Sequence, residues 1–167
     1  NGRVGERIQA RYKDKRYHYP NTDAGKEKLI ADLMDLVAAT SKRLPEYFGT
    51  LPKAPLKIQR VPKAIEAAAP GGYYNQPSLD GARPGIYWLN LRDTAEYPKW
   101  ALPTITYHEG VPGHHLQLSL QQEADLPMIR RATFLSAYGE GWALYAEELA
   151  REMGVYEGDP RGEIGYI

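Results

Sequence analysis

The 167-residue chain contains no cysteine, which excludes both disulfide bonds and thiolate metal ligands. Any metal ion would have to be held by histidine, aspartate or glutamate side chains. The absence of cysteine fits a cytoplasmic protein, and it is also compatible with an exported bacterial one. The composition therefore leaves two locations open, the cell envelope or periplasm and the cytoplasm.

The chain also lacks net charge, because 21 Lys and Arg residues balance 21 Asp and Glu residues. Its basic residues are scattered along the sequence rather than gathered in one stretch. Clustered basic residues are typical of surfaces that bind nucleic acids or anionic membranes, so we expect no nucleic acid partner. No apolar run approaches the roughly 20 residues that cross a bilayer, so we expect no membrane span in this chain.

Two regions with different patterns divide the chain. The first, 1–51, starts with a polar, basic and aromatic stretch of little periodicity. An apolar helical pattern follows, from an N-cap at Thr22 or Asp23 to about Arg43. We interpret this region as an N-terminal extension with a scaffold helix, and 52–167 as the functional core of one compact unit. Since the chain starts without Met, we expect it to be truncated at both ends, with the missing remainder of the same protein packing on it.

Three short segments of the core resemble strands. Leu56–Val61 alternates apolar and polar residues, and the segments 71–74 and 85–91 contain the aromatic pairs Tyr73-Tyr74 and Tyr87-Trp88. The link 76–84 is rich in turn formers. These segments predict a small antiparallel sheet, and we expect one helical turn at 64–69.

The rest of the core predicts helices. One helical pattern extends from about Ala101 to Glu123, with an interruption at Pro112 and Gly113. A last helix is predicted to end at Met153 after starting at about Ile129 or Phe134, and Gly154 suits a helix C-cap. The predicted fold class is α+β, mainly helical, with the sheet beside the helix that carries the motif described next.

The segment 108–115 contains the pattern H-E-x-x-x-x-H, two residues longer than the zinc-binding H-E-x-x-H helix. On a regular helix His114 would point about 120° away from His108, whereas His115 would nearly eclipse it. Regular geometry therefore favours His115 as the second ligand. If Pro112 and the glycines around it make the chain bulge, His114 takes that place instead.

Three segments together resemble a large bacterial family known as domain of unknown function 885, which is regarded as related to the gluzincin zinc metallopeptidases. The resemblance covers roughly 52–167. The matching residues are Tyr107-His108-Glu109-x-x-Pro112-Gly113-His114 with Gln117, the stretch Tyr73-Tyr74-x-x-Pro77-x-x-Asp80-Gly81-x-Arg83-Pro84-Gly85, and Glu140-Gly141-Trp142-Ala143-Leu144-Tyr145.

The resemblance implies a zincin-like domain that binds one Zn²⁺ ion and hydrolyses peptide bonds, with short peptides as substrates. It implies His108 and His114 as ligands, with His115 as the alternative. Gluzincins take the last ligand from a second helix some twenty residues further on. Here 25 residues (115–139) separate His114 from Glu140, which makes Glu140 the expected third ligand. Glu109 is then the general base that takes a proton from the metal-bound water.

Further roles are predicted around this centre. Tyr107, Tyr138 and His115 are candidate donors to the oxyanion of a tetrahedral intermediate. Substrate contacts are expected from Asn90, Tyr74 and His115, with 86–91 as an edge strand that pairs with extended peptide. Glu147 is a candidate for orienting a histidine ligand.

Two other functions use the same residues. One is a non-catalytic module that binds a metal or a peptide, such as a degenerate peptidase or a fragment that is inactive alone. The other is a zinc-dependent esterase or amidase. Substitution of Glu109 separates a catalyst from a binding module, and a substrate panel separates the hydrolases.

Overall fold

The computed structural model describes residues 3–167, and most of that chain is helical. Within this range three short 3-10 turns, at Lys15–Tyr17, Leu44–Glu46 and Thr94–Glu96, accompany the longer elements. The helices are α1 (Val4–Tyr12), α2 (Asp23–Arg43), α3 (Leu102–Glu109), α4 (His114–Glu123), α5 (Met128–Ala132), α6 (Ser136–Glu152) and α7 (Pro160–Tyr166), and the strands are β1 (Leu56–Arg60), β2 (Gly72–Asn75) and β3 (Gly85–Leu89).

Helix α2 forms as its sequence predicts. The Thr22 hydroxyl accepts the Gly25 N–H at 3.1 Å and caps the helix, satisfying one of the N–H groups that a helix start leaves free. Leu29, Leu33 and Val37, spaced four residues apart, are buried. They form one apolar stripe that packs into the main hydrophobic core with the sheet and α3.

The sheet is mixed rather than antiparallel, with strand order β1–β3–β2. β2 and β3 form an antiparallel pair across the link 76–84, but β1 runs parallel to β3. The predicted antiparallel sheet is therefore wrong for half of its pairing. The physical reason is that alternation along a strand indicates which face is buried, while the neighbouring strand is chosen by tertiary packing.

Asn90 stabilises this arrangement. Its amide Nδ2 donates to the backbone oxygens of Glu66 at 2.7 Å and Ala69 at 3.0 Å, and its side-chain oxygen accepts the Arg92 N–H at 3.2 Å. These bonds attach the link between β1 and β2 to the end of β3. The bonded segment 64–69 contains the predicted single helical turn, in which the Ala69 N–H donates to the Ile65 carbonyl at 3.1 Å.

The two ends of the chain differ from the sequence prediction. The aperiodic N-terminal stretch contains α1, none of whose residues is buried, so no core pattern marks it; residues 1 and 2 of the predicted extension lie outside the described residues. The helix predicted to start at about Ile129 or Phe134 and to end at Met153 is confirmed for the later start as α6, with the separate short helix α5 before it. The helix α7, which follows it, was not predicted. Gly154 follows α6 with a φ of +74°, as predicted for a C-cap glycine.

Among residues 3–167, no helix combines the length and the apolar character needed to cross a membrane.

Candidate metal centre and active site

The break between α3 and α4 places the first two histidines. His108 and Glu109 are the last residues of α3, and His114 is the first residue of α4. The predicted interruption at Pro112 and Gly113 is confirmed. A Cβ atom on Gly113 would lie 1.9 Å from the His108 carbonyl oxygen, so only glycine allows this close approach. Because His108 and His114 lie on different helices, the regular-helix argument for His115 does not apply.

Helix α6 brings a carboxylate to both rings. Oε2 of Glu140 lies 3.3 Å from Nε2 of His108 and 3.6 Å from Nε2 of His114. The three donor atoms all lie within 4.8 Å of one another. The structure thus brings together the three predicted ligands, and their binding of a metal stays a prediction.

Two of the three separations between these atoms, those to Glu140, are compatible with a divalent cation. Zinc binds imidazole nitrogen and carboxylate oxygen at about 2.0–2.2 Å in tetrahedral geometry, which separates two ligand atoms by about 3.4 Å. The two distances to Glu140 lie on either side of that value. Three protein ligands of this type leave a fourth position open, the arrangement of a catalytic rather than a structural zinc site.

Glu147 orients the first histidine. Its Oε1 accepts the Nδ1–H of His108 at 2.7 Å, which fixes the tautomer and leaves Nε2 free to face Glu140. Burial lowers the pKa of His108, but the bond with Glu147 and the surrounding carboxylates outweigh it, and the net pKa is raised. Glu147 therefore lies where the sequence predicts it, about two helical turns after Glu140 on the same face of α6.

Gln117, one of the family motif residues, is a candidate orienting residue for His114. Its Nε2 donates to the Tyr138 backbone oxygen at 3.2 Å. Within the described residues, its Oε1 and the Nδ1 of His114 are both buried without a hydrogen-bond partner. Burial, followed by the charge of His108, lowers the pKa of His114. The i,i+3 spacing of His114 and Gln117 on one helix is the signal that identifies the pair.

His115 uses both ring nitrogens elsewhere. Its Nε2–H donates to the Ala54 carbonyl at 3.1 Å, so its Nδ1 is the acceptor for the Tyr74 hydroxyl at 2.8 Å. Burial lowers its pKa to about 4. A Cβ on Gly85 would lie 2.3 Å from the Tyr74 hydroxyl, so that glycine makes room for the pair. The structure does not bring His115 to the three donor atoms.

Glu109 lies on the wall of a cleft of about 620 Å³ together with His108, His114 and Glu140. Only 8% of Glu109 is exposed. Burial raises the pKa of its carboxyl to about 7, with His108 lowering it and Glu140 raising it further. The carboxyl that the motif assigns as a base is thus desolvated and adjacent to the three donor atoms.

Of the other residues predicted at the site, some line the cleft and others do not. Tyr74 lines the cleft, and its ring stacks on that of His114 with 6.4 Å between centroids. Tyr107 is 1% exposed and packs edge-on against Tyr156, while the side chain of Tyr138 is on the surface. Neither of these two tyrosines lines the cleft, nor does the buried Asn90. The predicted oxyanion donors are therefore not brought to Glu109.

Strand β2, not β3, borders the cleft. β3 has a neighbour on each side, so the prediction of 86–91 as an edge strand is wrong. β2 pairs with β3 along one edge only, and all four of its residues line the cleft. The edge available beside the donor atoms belongs to β2.

Comparison with known proteins supports the motif resemblance at the level of the family. The family model described as "Bacterial protein of unknown function (DUF885)" matches residues 1–167. The chain belongs to this family. The match includes 1–51, which the motifs alone did not cover. None of the curated proteins matches the chain.

Two solved structures are similar to this DUF885 chain. The crystal structure of a "putative lipoprotein" from Colwellia psychrerythraea is 42% identical with a TM-score of 0.95, and the match covers 99% of this chain and 28% of that one. A "putative lipoprotein of unknown function" from Shewanella oneidensis is 20% identical with a TM-score of 0.69, covering 99% and 31%, and shows likeness of fold alone. The chain spans less than a third of the length of either relative.

Proposed function

We propose that this chain carries the catalytic centre of a zinc-dependent peptidase that acts on short peptides. The observation that carries the proposal is the meeting of two imidazole nitrogens and one carboxylate oxygen from three helices. The spacing of these atoms suits one zinc ion with an open fourth position. A buried carboxyl of Glu109 beside them adds the proton acceptor that hydrolysis needs.

The arrangement of elements supports a zincin-like assignment within the proposal. Two histidines flank a glutamate on adjacent helices, the third donor comes from a later helix, and a small sheet lies beside them. The gluzincin relationship implied by the motifs has the same order of residues along the chain. His108 and His114 would hold the zinc ion through Nε2, and Glu140 would hold it through a carboxylate oxygen.

When bound, the zinc ion supplies Lewis acidity and lowers the pKa of a coordinated water. Glu109 accepts a proton from the attacking water and passes it to the leaving amine. Glu147 holds His108 through Nδ1, so the ring keeps its Nε2 lone pair directed at the centre. The backbone of β2 offers an edge to which an extended peptide adds as a strand.

The proposal extends to location and to partners. The two relatives are described as putative lipoproteins, which favours the cell envelope over the cytoplasm. Further parts of a longer protein pack against this chain and complete the cleft, including the oxyanion donor that the described residues do not place there.

Two measurements on the whole protein test the proposed function. Elemental analysis is expected to find one zinc ion per chain, and a panel of short peptides is expected to be hydrolysed and to lose hydrolysis on chelation. Absence of zinc overturns the proposed centre. Zinc with hydrolysis of esters or simple amides alone favours the esterase or amidase, and zinc with no hydrolysis favours the binding module.

Glu147→Ala is expected to weaken zinc binding by about 10–100-fold, because residues that orient a ligand histidine contribute that much to metal affinity. Glu152→Ala is the matched control, since Glu152 is an exposed glutamate on the same helix. Competition with a chromogenic chelator measures both affinities. Equal zinc affinity in the two variants would show that the contact with His108 does not support the metal.

A further inference from the structure

Arg83 is a cation on the wall of a cleft whose other charged groups are acidic or imidazole. Among the described residues that line the cleft, it is the single lysine or arginine, beside Glu109, Glu140 and the two histidines. No carboxylate within the described residues lies close enough to form an ion pair with its guanidinium. The cleft thus holds an arginine whose charge is not neutralised by a protein partner.

The backbone around Arg83 is fixed without using its guanidinium. The Arg83 N–H donates to the Ser78 hydroxyl at 2.7 Å, and the Ser78 N–H donates to the Arg83 carbonyl at 3.1 Å. Asp80, the nearest acidic residue in sequence, accepts the Ala82 N–H at 3.0 Å. These bonds close the turn without the guanidinium of Arg83, which forms no hydrogen bond or ion pair within it although its charge reaches the Asp80 carboxylate.

Arg83 lies at the C-terminal end of β2. Asn75, the last residue of β2, pairs with Ile86, only three positions after Arg83, and Asn75 and Gln76 line the cleft beside the arginine. The positive charge of Arg83 also reaches the Tyr74 hydroxyl, where it opposes the rise in pKa caused by burial. The ring of Tyr74 stacks on that of His114. Arg83 therefore lines the same cleft as the donor atoms, with Tyr74 close to both, and lies beside the end of the available strand edge.

We propose that Arg83 binds the free C-terminal carboxylate of the substrate, so that the enzyme releases the residue or the short peptide at that end. This inference rests on the proposed function. Arginine presents a planar fork of N–H groups that pairs with a carboxylate through two hydrogen bonds. A peptide paired along β2 that ends beside Asn75 has its terminal carboxylate at Arg83 and a preceding amide bond near Glu109.

The reaction balances with water alone. The attacking water forms a new C–O bond at the scissile carbonyl, and the C–N bond breaks with its electron pair on nitrogen. Glu109 transfers one proton from the water to that nitrogen, and the second proton, released when the new acid ionises, converts the leaving amine to an ammonium group. The products are a peptide with a new carboxylate and a released amino acid or dipeptide, whose original carboxylate is the group held by Arg83.

Matched peptides with a free C-terminal acid or a C-terminal amide test the inference on the zinc-loaded whole protein. The wild type is expected to prefer the acid. Arg83→Gln is expected to lower kcat/KM for the acid by about 10–100-fold, the loss of one charge-assisted hydrogen-bonded pair, and to leave the amide unchanged. Arg83→Lys is expected to retain part of the preference, because a lysine keeps the charge and loses the fork.

Arg7→Gln is the matched control, since Arg7 is an exposed arginine of α1 outside the cleft. Equal cleavage of acid and amide by the wild type overturns the role of Arg83 and leaves the peptidase standing. An equal loss on both peptides in Arg83→Gln has the same consequence. Hydrolysis of neither peptide overturns the proposed function and this inference together.

Discussion

Glu109→Gln is expected to lower kcat for peptide hydrolysis by about 10²–10⁴-fold, the usual contribution of a positioned general acid–base group. The amide is nearly the same size as the carboxyl, so it fits the same buried position on α3. It cannot accept the proton from the attacking water. Steady-state hydrolysis of a short peptide measures the change.

The zinc content distinguishes a variant that has lost only its general base from one that has lost its metal-binding site. Glu109 is not one of the three clustered donor atoms, so Glu109→Gln is expected to keep one zinc ion per chain. Glu27→Gln, at an exposed position on α2, is the control for a change of charge alone. Undiminished turnover in Glu109→Gln contradicts the assignment of Glu109 as base, and loss of zinc would make Glu109 a ligand instead.

His114→Ala and His115→Ala are expected to have opposite effects on zinc. Loss of His114 removes one of three ligand atoms, so zinc affinity should fall by more than the roughly 10–100-fold lost with an orienting residue. His115→Ala should keep the metal. Because it leaves the buried Tyr74 hydroxyl and Ala54 carbonyl without their partner, it should instead destabilise the fold by about 1–3 kcal/mol.

Elemental analysis and urea denaturation measure the two quantities separately. The adjacent histidines share one helix and the same side-chain chemistry, so each variant is the control for the other. Zinc lost from His115→Ala and kept by His114→Ala would contradict the geometry around Glu140. Equal zinc loss from both would show that the metal depends on the α4 segment as a whole rather than on one ring.

The sequence predicted local features of the fold well, because they depend on local patterns. The apolar spacing of Leu29, Leu33 and Val37 predicted α2, and the turn formers between β2 and β3 predicted their hairpin. The position of β3 between its two neighbours was not predictable in this way. It depends on contacts such as those of Asn90 with the link after β1, which join residues far apart in sequence.

The candidate site, like the fold, was predictable from the sequence only in part. The family resemblance, rather than helical spacing, selected His108, His114 and Glu140, which the structure brings together. The choice between His114 and His115 could not follow from helix geometry, since α3 and α4 are separate helices. Tyr107 is adjacent to the motif in sequence but points into the core, because successive residues of a helix point about 100° apart.

Helix α6 carries two carboxylates that contact the same imidazole ring, Glu140 at Nε2 and Glu147 at Nδ1. Seven residues make almost two turns, so both project from one side of the helix. Their register with each other is therefore a property of α6 alone. Lengthening or shortening the connection 124–135 leaves that register intact, whereas one residue inserted between Glu140 and Glu147 rotates one carboxylate by about 100° relative to the other. Insertions and deletions are accordingly compatible with this centre when they fall in the connection 124–135. They are incompatible with it when they fall between Glu140 and Glu147 in α6.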